Sequence, residues 1–315
     1  IAAGDLILTI EPEVQSFLEH TLQKSADALS ANSGGALIIN PKTGNILALA
    51  ATPMFDPNNF SLETDYSVFS NPIVESVFEM GSIVKPLTIA AGLDAGVITT
   101  EDSYYDEGSI TLNNRTIGNY DGKARGRVPL QEILNQSLNT GAVYVARKLG
   151  NDLFSDYMMS FGFGEKTGID LPNETPGLVK NLSSNRDIEI ATASFGQGFA
   201  VTPIAMVRAL SSLANGGVLI TPHVLDRIEY KDALFKSMPK ESVNFPRILS
   251  GEASENITRM LVRVVDEALV GGAVKLPHFS VAAKTGTAQI ADSHGGYYDD
   301  KFLHTFFGYF PAYDP

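Results

Sequence analysis

Strand-like segments lie at the two ends of the chain, and amphipathic helices fill the stretch between them. Residues 35–40 and 45–50 are apolar runs that flank a Pro-Lys-Thr-Gly turn, which is typical of an antiparallel hairpin. Residues 279–283 and 306–310 again have strand character. This order predicts the α+β class. We expect an α/β sandwich in which an antiparallel sheet, built from the N- and C-terminal segments, is flanked by helices and carries a mainly helical inserted lobe.

Apolar residues recur at helical spacing through the middle of the chain. One helical stretch runs over 128–149 with an interruption at 139–141, a second opens at Thr202 before a proline, and a third begins at Ser254. Pro12 opens a further amphipathic helix near the start. Together these segments predict that the texture from 86 to about 270 is mainly helical.

The length and composition suit one large globular domain. The chain has 315 residues, 44% of them hydrophobic and 19% charged, which is enough to bury a sizeable core. We therefore expect a single two-lobed domain over 1–315. Its sheet lobe would comprise about 1–60 and 273–315, and its helical lobe about 78–272.

Charge and composition exclude several classes of function. The net charge of −13 gives no electrostatic support for nucleic-acid binding, so we expect no nucleic-acid partner. The chain has no cysteine, and its five histidines form no HExxH-type pair, so we expect no metal site and no cofactor. There is no run of about 18 apolar residues and no charged leader, so we expect neither a membrane span nor a signal peptide in this sequence.

Ser82 and Lys85 lie three residues apart, just before an apolar run. Pro86 lacks a backbone N–H and disfavours α geometry at Lys85, so a regular helix is expected to begin at Pro86 after a 3₁₀-like turn. An amine stacked on a hydroxyl can form an activated nucleophile, and a second nearby cation would help to lower the pKa of the lysine. The alternative is an N-capping serine followed by a solvated lysine.

Two later motifs could complete such a site. Ser137-Leu138-Asn139 follows an apolar helix and precedes Thr140-Gly141, so its polar side chains are expected at a helix break. Lys284-Thr285-Gly286-Thr287 follows an apolar strand. The small glycine there allows another backbone to approach closely, and strand alternation puts the two threonines on one face.

Each short pattern also occurs elsewhere in the chain. A second SxxK lies at 237–240, SxN recurs at Ser30, Ser183, Ser242 and Ser254, and KTG recurs at Lys42 and Lys166. A single match therefore carries little weight. The ordered set SxxK, SxN and KTGT, each in a suitable local context, is far more specific.

This ordered set resembles the penicillin-binding protein transpeptidase domain, within the wider family of serine acyltransferases and β-lactamases. The likeness runs from about residue 6 to the end and is closest to the monofunctional class B type. The stretches that carry it besides the KTGT motif are Phe78-Glu79-Met80-Gly81-Ser82, Gln136-Ser137-Leu138-Asn139-Thr140-Gly141, Phe161-Gly162-Phe163-Gly164 and Ser194-Phe195-Gly196-Gln197-Gly198.

The resemblance implies a peptidoglycan D,D-transpeptidase that cross-links stem peptides through a Ser82 acyl-enzyme and is inhibited by β-lactams. It implies that Lys85 is the general base, that Ser137 relays a proton to the leaving amine, and that Asn139 binds the amide of the acyl side chain. It also implies that Lys284 supplies positive charge to the cleft and that Thr285 and Thr287, on either side of Gly286, bind the terminal carboxylate. The backbone N–H groups of Ser82 and Thr287 would form the oxyanion hole.

The resemblance also implies surroundings for the protein. These are stem peptides and β-lactams as ligands, cell-wall glycosyltransferase or divisome or elongasome proteins as partners, and the extracytoplasmic face of the bacterial cell membrane as location, with an anchor that this chain lacks. Family members continue beyond the equivalent of Pro315 with another strand and a C-terminal helix, so we expect both to be missing here.

Two other functions fit the same motifs. A serine β-lactamase would need a base that activates water, for which Glu165 and Glu174 are candidates, although turn chemistry explains both more simply. An acylation-only β-lactam sensor or a scaffold with a decayed site is the non-enzymatic alternative. The intact set of motif residues argues against decay.

Overall fold

The computed structural model describes residues 4–184, 186–230, 245–292 and 295–315. Within them the helices are α1 (Pro12–Leu29), α2 (Pro72–Glu75), α3 (Lys85–Asp94), α4 (Gln131–Asn135), α5 (Asn139–Leu149), α6 (Asn151–Ser160), α7 (Asp187–Ala193), α8 (Pro203–Ala214) and α9 (Gly251–Arg263). The strands are β1 (Gly4–Leu8), β2 (Gly34–Ile39), β3 (Ile46–Thr52), β4 (Ser103–Asp106), β5 (Ser109–Leu112), β6 (Arg115–Gly118), β7 (Gly126–Pro129), β8 (Leu225–Tyr230), β9 (Ala282–Ala291) and β10 (Tyr297–Tyr309).

The N-terminal hairpin forms as predicted. β2 and β3 pair antiparallel from Gly34 opposite Thr52 to Ile39 opposite Ile46, and α1 packs against both strands. Along β3 every second side chain is buried, which is the period expected of a strand with one face on a core. Helix α1 begins at Pro12, where a missing N–H costs nothing because the first turn has no acceptor for it.

The C-terminal hairpin pairs β9 with β10. Its register runs from Ala282 opposite Tyr309 to Gln289 opposite Phe302, so the KTGT motif lies in the middle of a strand. The buried side of β9 packs against α9. Antiparallel strands from both ends of the chain therefore combine with helices from the middle, which confirms the α+β class. The division into two lobes stays a prediction.

The middle of the chain is less helical than predicted. Four short strands, β4 to β7, form two antiparallel pairs between 103 and 129, and β8 pairs antiparallel with β1. Val128, assigned to a helix from its spacing, lies in β7. Four-residue strands are too short to show an alternating pattern, and the β1–β8 pairing joins segments more than 200 residues apart in sequence.

Two helix boundaries also differ from the prediction. The break before α5 lies at 136–138, and Asn139 is already helical. Helix α9 begins three residues earlier than expected, at Gly251, because Ser250 Oγ accepts a hydrogen bond of 3.2 Å from the Ala253 N–H. Ser254 is instead a buried residue of the helix whose hydroxyl donates to Leu213 O at 2.7 Å. The Thr202 cap forms as predicted, with its Oγ1 3.2 Å from Ala205 N.

Helix α3 lies at the centre of the main hydrophobic core. Leu87, Ile89 and Ala90 are fully buried, and the helix contacts α5, α8 and α9. Truncating a side chain such as Leu87 to alanine in this packing typically costs about 2–5 kcal/mol. The turn that precedes α3 is therefore attached to one of the most firmly packed elements of the molecule.

Candidate active site

Ser82 lies in a 3₁₀ turn, Gly81–Val84, that runs directly into α3. The predicted turn is confirmed, and the helix begins at Lys85, one residue before Pro86. Gly81 has a φ of +62°, a left-handed conformation that favours glycine. This geometry leaves Ser82 half-buried at the start of a helix whose remaining residues are packed in the core.

Strand β9 lies in close backbone contact with the Ser82 turn. A Cβ atom on Gly81 would lie 2.6 Å from the carbonyl oxygen of Thr287, and one on Gly286 would lie 2.3 Å from Thr305 Oγ1. The Thr305 hydroxyl donates to Met80 O at 2.9 Å and so ties β10 to the same turn. The predicted close approach at Gly286 is confirmed, and it brings the backbones of the first and third motifs side by side.

Ser137 joins the two motif lysines. Lys85 Nζ donates to Ser137 O at 2.5 Å and to Ser137 Oγ at 3.1 Å, and Lys284 Nζ donates to the same hydroxyl at 3.2 Å. Ser137 has a φ of +55°, which is strained for a residue with a side chain and is often found at functional sites. The three motifs identified in the sequence thus meet at one hydroxyl.

The two lysines have different electrostatic environments. Lys85 is fully buried, and burial lowers its pKa well below 10.5, with the charge of Lys284 as the second cause. Burial also lowers the pKa of Lys284, to about 8. Lys284 therefore keeps its charge below about pH 8, and the more deeply buried Lys85 is the amine that loses its proton more readily. Neighbouring groups whose pKa values are pushed apart in this way can divide base and acid roles between them.

The Ser82 hydroxyl forms no hydrogen bond with any of the described residues, and the bonds of Lys85 are directed to Ser137 instead. Hydrogen bonds between catalytic groups are often long or absent before substrate binds, so this geometry is compatible with Lys85 as the base. It leaves Ser82 with a free hydroxyl beside a buried amine and two adjacent backbones.

The remaining predicted residues surround this centre. Asn139 is the first residue of α5, and its Nδ2 donates to Gly118 O at 2.9 Å. Thr285 and Thr287 are exposed on the same face of β9, as strand alternation predicts. Thr287 Oγ1 lies 3.4 Å from Nδ1 of His304 on β10.

Comparison with known proteins places this arrangement in a family. The family model described as "penicillin binding protein transpeptidase domain" matches residues 34–315. The chain belongs to this family. Stage V sporulation protein D of Bacillus subtilis is 33% identical over 315 residues, covering 99% of this chain and 48% of that protein. Penicillin-binding protein PbpB of Mycobacterium tuberculosis is 27% identical over 324 residues, covering 100% of this chain and 47% of that protein.

Solved members of the penicillin-binding protein family share the fold. A crystal structure of penicillin-binding protein 3 from Mycobacterium tuberculosis, complexed with aztreonam, matches with a TM-score of 0.91 at 27% identity. The match covers 99% of this chain and 71% of that one. The chain spans about half the length of the curated relatives that it matches.

Sequence reasoning included Glu79, Gly196 and Gly198 in the stretches that carry the resemblance, but it gave them no role in holding the Ser82 turn and did not single out Tyr297. Gly81 N donates to Gly196 O at 3.0 Å, and Gly198 N donates to the Glu79 carboxylate at 3.0 Å. The phenol of Tyr297, on β10, donates to both oxygens of Glu79 at 3.0 Å. Burial raises the pKa of Glu79 above its ordinary value of 4.5. The sequence signal for Glu79 was its position three residues before Ser82. No local signal marks Tyr297, which lies 218 residues away in the chain.

The repeated short patterns have structural explanations where they are described. Lys42 lies in the β2–β3 turn and forms an ion pair with Asp314. Next to Lys166, Thr167 donates its N–H and hydroxyl to the buried Glu174 carboxylate at 2.7 and 2.6 Å. The SxxK at 237–240 and the SxN at Ser242 lie outside the described residues.

Two kinds of feature are absent from the described part of the chain. No helix there is long and apolar enough to cross a bilayer. No group of three or more histidine, cysteine, aspartate or glutamate side chains there could hold a metal ion.

Proposed function

We propose that this chain is the catalytic domain of a peptidoglycan D,D-transpeptidase that cross-links stem peptides through a Ser82 acyl-enzyme. The observation that carries the proposal is the Ser137 hydroxyl, which lies within hydrogen-bonding distance of both Lys85 and Lys284. Family membership over residues 34–315 supports the same reaction class. β-Lactams would acylate Ser82 as mimics of the D-Ala-D-Ala end of the stem peptide.

In the proposed acylation step, Ser82 Oγ attacks the carbonyl carbon of the penultimate D-Ala while neutral Lys85 accepts its proton. The N–H groups of Ser82 and Thr287 stabilise the oxyanion, a contribution often worth about 3–4 kcal/mol for one donor. The C–N bond then breaks, and Ser137 passes a proton to the departing D-Ala amine. The contact of Ser137 with both lysines supports this relay.

In the second step the amine of another stem peptide attacks the Ser82 ester, and an amide bond replaces it. The attacking amine gives a proton to Lys85, the ester C–O bond breaks, and Lys85 passes that proton to the Ser82 oxygen, so atoms and charge balance. Water would give hydrolysis by the same route. Transfer to an amine requires that the acyl-enzyme is long-lived enough for the second peptide to bind.

Substrate binding is proposed to use the exposed side of β9. The hydroxyls of Thr285 and Thr287, on either side of Gly286, would hold the terminal carboxylate. Lys284 would add positive charge, since its amine is protonated below about pH 8. Asn139 would bind the amide of the acyl side chain with the part of its side chain that does not contact Gly118.

The proposed domain is two-lobed over 1–315, with the cleft between the sheet lobe (about 1–60 and 273–315) and the helical lobe (about 78–272). Ser82 and Ser137 would line it from one side and β9 from the other. We propose that this domain faces the extracytoplasmic side of the cell membrane. Its partners there would be cell-wall glycosyltransferase, divisome or elongasome proteins.

A serine β-lactamase receives less support. Such an enzyme needs a carboxylate or a modified lysine that activates water. Both oxygens of Glu174 accept hydrogen bonds from the 167–168 turn, which explains this residue as a structural one, and Glu165 is exposed. The described residues therefore favour slow deacylation.

The proposal is tested by an acyl-transfer assay on the full chain. A D-Ala-D-Ala peptide and a D-amino acid acceptor are supplied together, and mass spectrometry follows both release of D-Ala and formation of the exchanged peptide. We expect exchange with the unaltered chain and with Ser237→Ala, the matched serine of the second SxxK, and none with Ser82→Ala. Exchange that survives Ser82→Ala would refute the proposal.

A further inference from the structure

A buried carboxylate lies beside the second motif. Asp106, at the end of β4, is fully buried. Its Oδ1 accepts hydrogen bonds from Gly108 N at 2.9 Å and from the Thr140 hydroxyl at 2.7 Å. Burying a carboxylate is costly unless its lone pairs are satisfied, so this arrangement calls for a reason beyond filling space.

Asn119 closes a ring of side chains with Asp106 and Thr140. Its Nδ2 donates to both carboxylate oxygens of Asp106, at 3.0 and 3.1 Å, and its Oδ1 accepts from Thr140 N at 3.3 Å. Asn119 follows β6 and is itself buried. The ring thus connects two short strand pairs to the first turn of α5.

The first turn of α5 carries the second motif. Thr140 follows Asn139, whose amide donates to Gly118 O, the residue before Asn119. Two residues before Asn139 lies Ser137, which has a left-handed backbone and contacts both lysines. A strained backbone of this kind persists only when its surroundings over-determine it.

We propose that Asp106 and Asn119 are positioning residues for the reaction of Ser82. By fixing the start of α5 they hold the Ser137 hydroxyl between the two lysines and direct the Asn139 amide into the cleft. The inference rests on the proposed function, because it assigns these residues a purpose in acylation. Neither residue touches the reacting atoms.

The donor and acceptor pattern of the ring gives a sharp test. Asp106→Asn places one amide NH₂ against another, and Asn119→Asp places two carboxylates about 3 Å apart. The double variant, Asp106→Asn with Asn119→Asp, restores a donor facing an acceptor between positions 106 and 119 while keeping the shape, and outside this pair it loses only the longer bond of 3.3 Å from Asn119 Nδ2 to Lys123 O. Thr140→Val, with Thr140→Ser as its matched control, removes the hydroxyl that bonds to Asp106 Oδ1 at 2.7 Å and to Asn119 Oδ1 at 3.2 Å, and it serves if a single ring variant fails to fold.

The measured quantity is the second-order rate of Ser82 acylation by benzylpenicillin, with the melting temperature recorded for each variant. We expect each single variant to lose about tenfold or more, because small displacements of catalytic groups are costly. We expect the double variant to recover most of that rate, and Thr140→Ser to exceed Thr140→Val.

A second substrate distinguishes a displaced Asn139 from a displaced Ser137. 6-Aminopenicillanic acid lacks the acyl amide, so a displaced Asn139 should slow benzylpenicillin more than 6-aminopenicillanic acid. A displaced Ser137 should slow both equally, and either pattern supports the proposal.

Two outcomes overturn it. One is that folded single variants, or folded Thr140→Val, react at the unaltered rate. The other is that a double variant with the original melting temperature does not recover. Failure of the unaltered chain to react with benzylpenicillin would instead refute the proposed function itself, so the two failures are distinguishable.

Discussion

At the scale of single residues, the site is organised by two amines with one shared neighbour. Lys85 and Lys284 both contact Ser137 Oγ. Because Lys85 is fully buried, its pKa is lowered well below the ordinary value for a lysine. A buried lysine next to a second cation can act as a base near neutral pH. The packing of α3, which buries the Lys85 amine, is therefore what allows this lysine to act as a base.

The first prediction concerns the pH dependence of acylation. The rate should rise with pH as Lys85 loses its proton and fall above about pH 8 as Lys284 loses its charge. Lys284→Arg should shift the falling limb to higher pH, because a guanidinium keeps its charge. The check is the second-order rate with a fluorescent penicillin, and a rate in the unaltered chain that keeps rising beyond pH 9 would contradict the assignment.

The second prediction separates the function of Lys85 from stability. Lys85→Met should reduce acylation to background while leaving the melting temperature unchanged or higher, because an apolar side chain of similar length suits a fully buried position. Lys166→Met, at an exposed KTG lysine, is the control and should change neither quantity. Unimpaired labelling of Lys85→Met would show that Lys85 is not the base.

At the scale of elements, the site depends on how closely β9 approaches the Ser82 turn. Gly286→Ala would put a Cβ 2.3 Å from Thr305 Oγ1 and 3.0 Å from Ile83 N, so we expect β9 to move away from the turn. Acylation should fall by about tenfold or more, since an oxyanion donor on β9 would be misplaced.

A matched control is Gly251→Ala, at the start of α9, where an added Cβ meets no atom within 4 Å. It should leave the acylation rate unchanged. A folded Gly286→Ala variant that is acylated at the unaltered rate would show that catalysis does not depend on the close approach of β9 to the Ser82 turn.

The elements that carry the motifs could be predicted because their signals are local. Pro86 marks the start of a helix, Pro41 to Gly44 mark a hairpin turn, and the apolar run before Lys284 marks a strand. The contacts between motifs could not be predicted in this way. The lysine contacts of Ser137 span 52 and 147 residues, and they depend on tertiary packing that no sequence window contains.

The elements that support the second motif were missed for a related reason. Strands β4 to β7 have four residues each, and Asp106 and Asn119 look like ordinary turn residues in the sequence. Their importance is visible only once both are buried against Thr140.

At the scale of the whole molecule, the proposed transpeptidase function predicts a long-lived acyl-enzyme rather than fast hydrolysis. Glu174 is committed to the 167–168 turn. We therefore expect nitrocefin to give a burst equal to the amount of protein, followed by little further hydrolysis. Sustained turnover at many equivalents would favour the β-lactamase alternative, and a chain carrying Ser82→Ala should show neither phase.

The central claim is that Ser82 is the nucleophile of this chain, and the mass of the penicillin-treated protein tests it most directly. The full chain is treated with benzylpenicillin, digested, and analysed by mass spectrometry beside Ser82→Ala and Ser237→Ala. We predict one added penicilloyl group, located on the peptide that contains Ser82, in the unaltered chain and in Ser237→Ala, and no adduct in Ser82→Ala. An adduct on any other residue, or no adduct on a folded chain, would contradict the account.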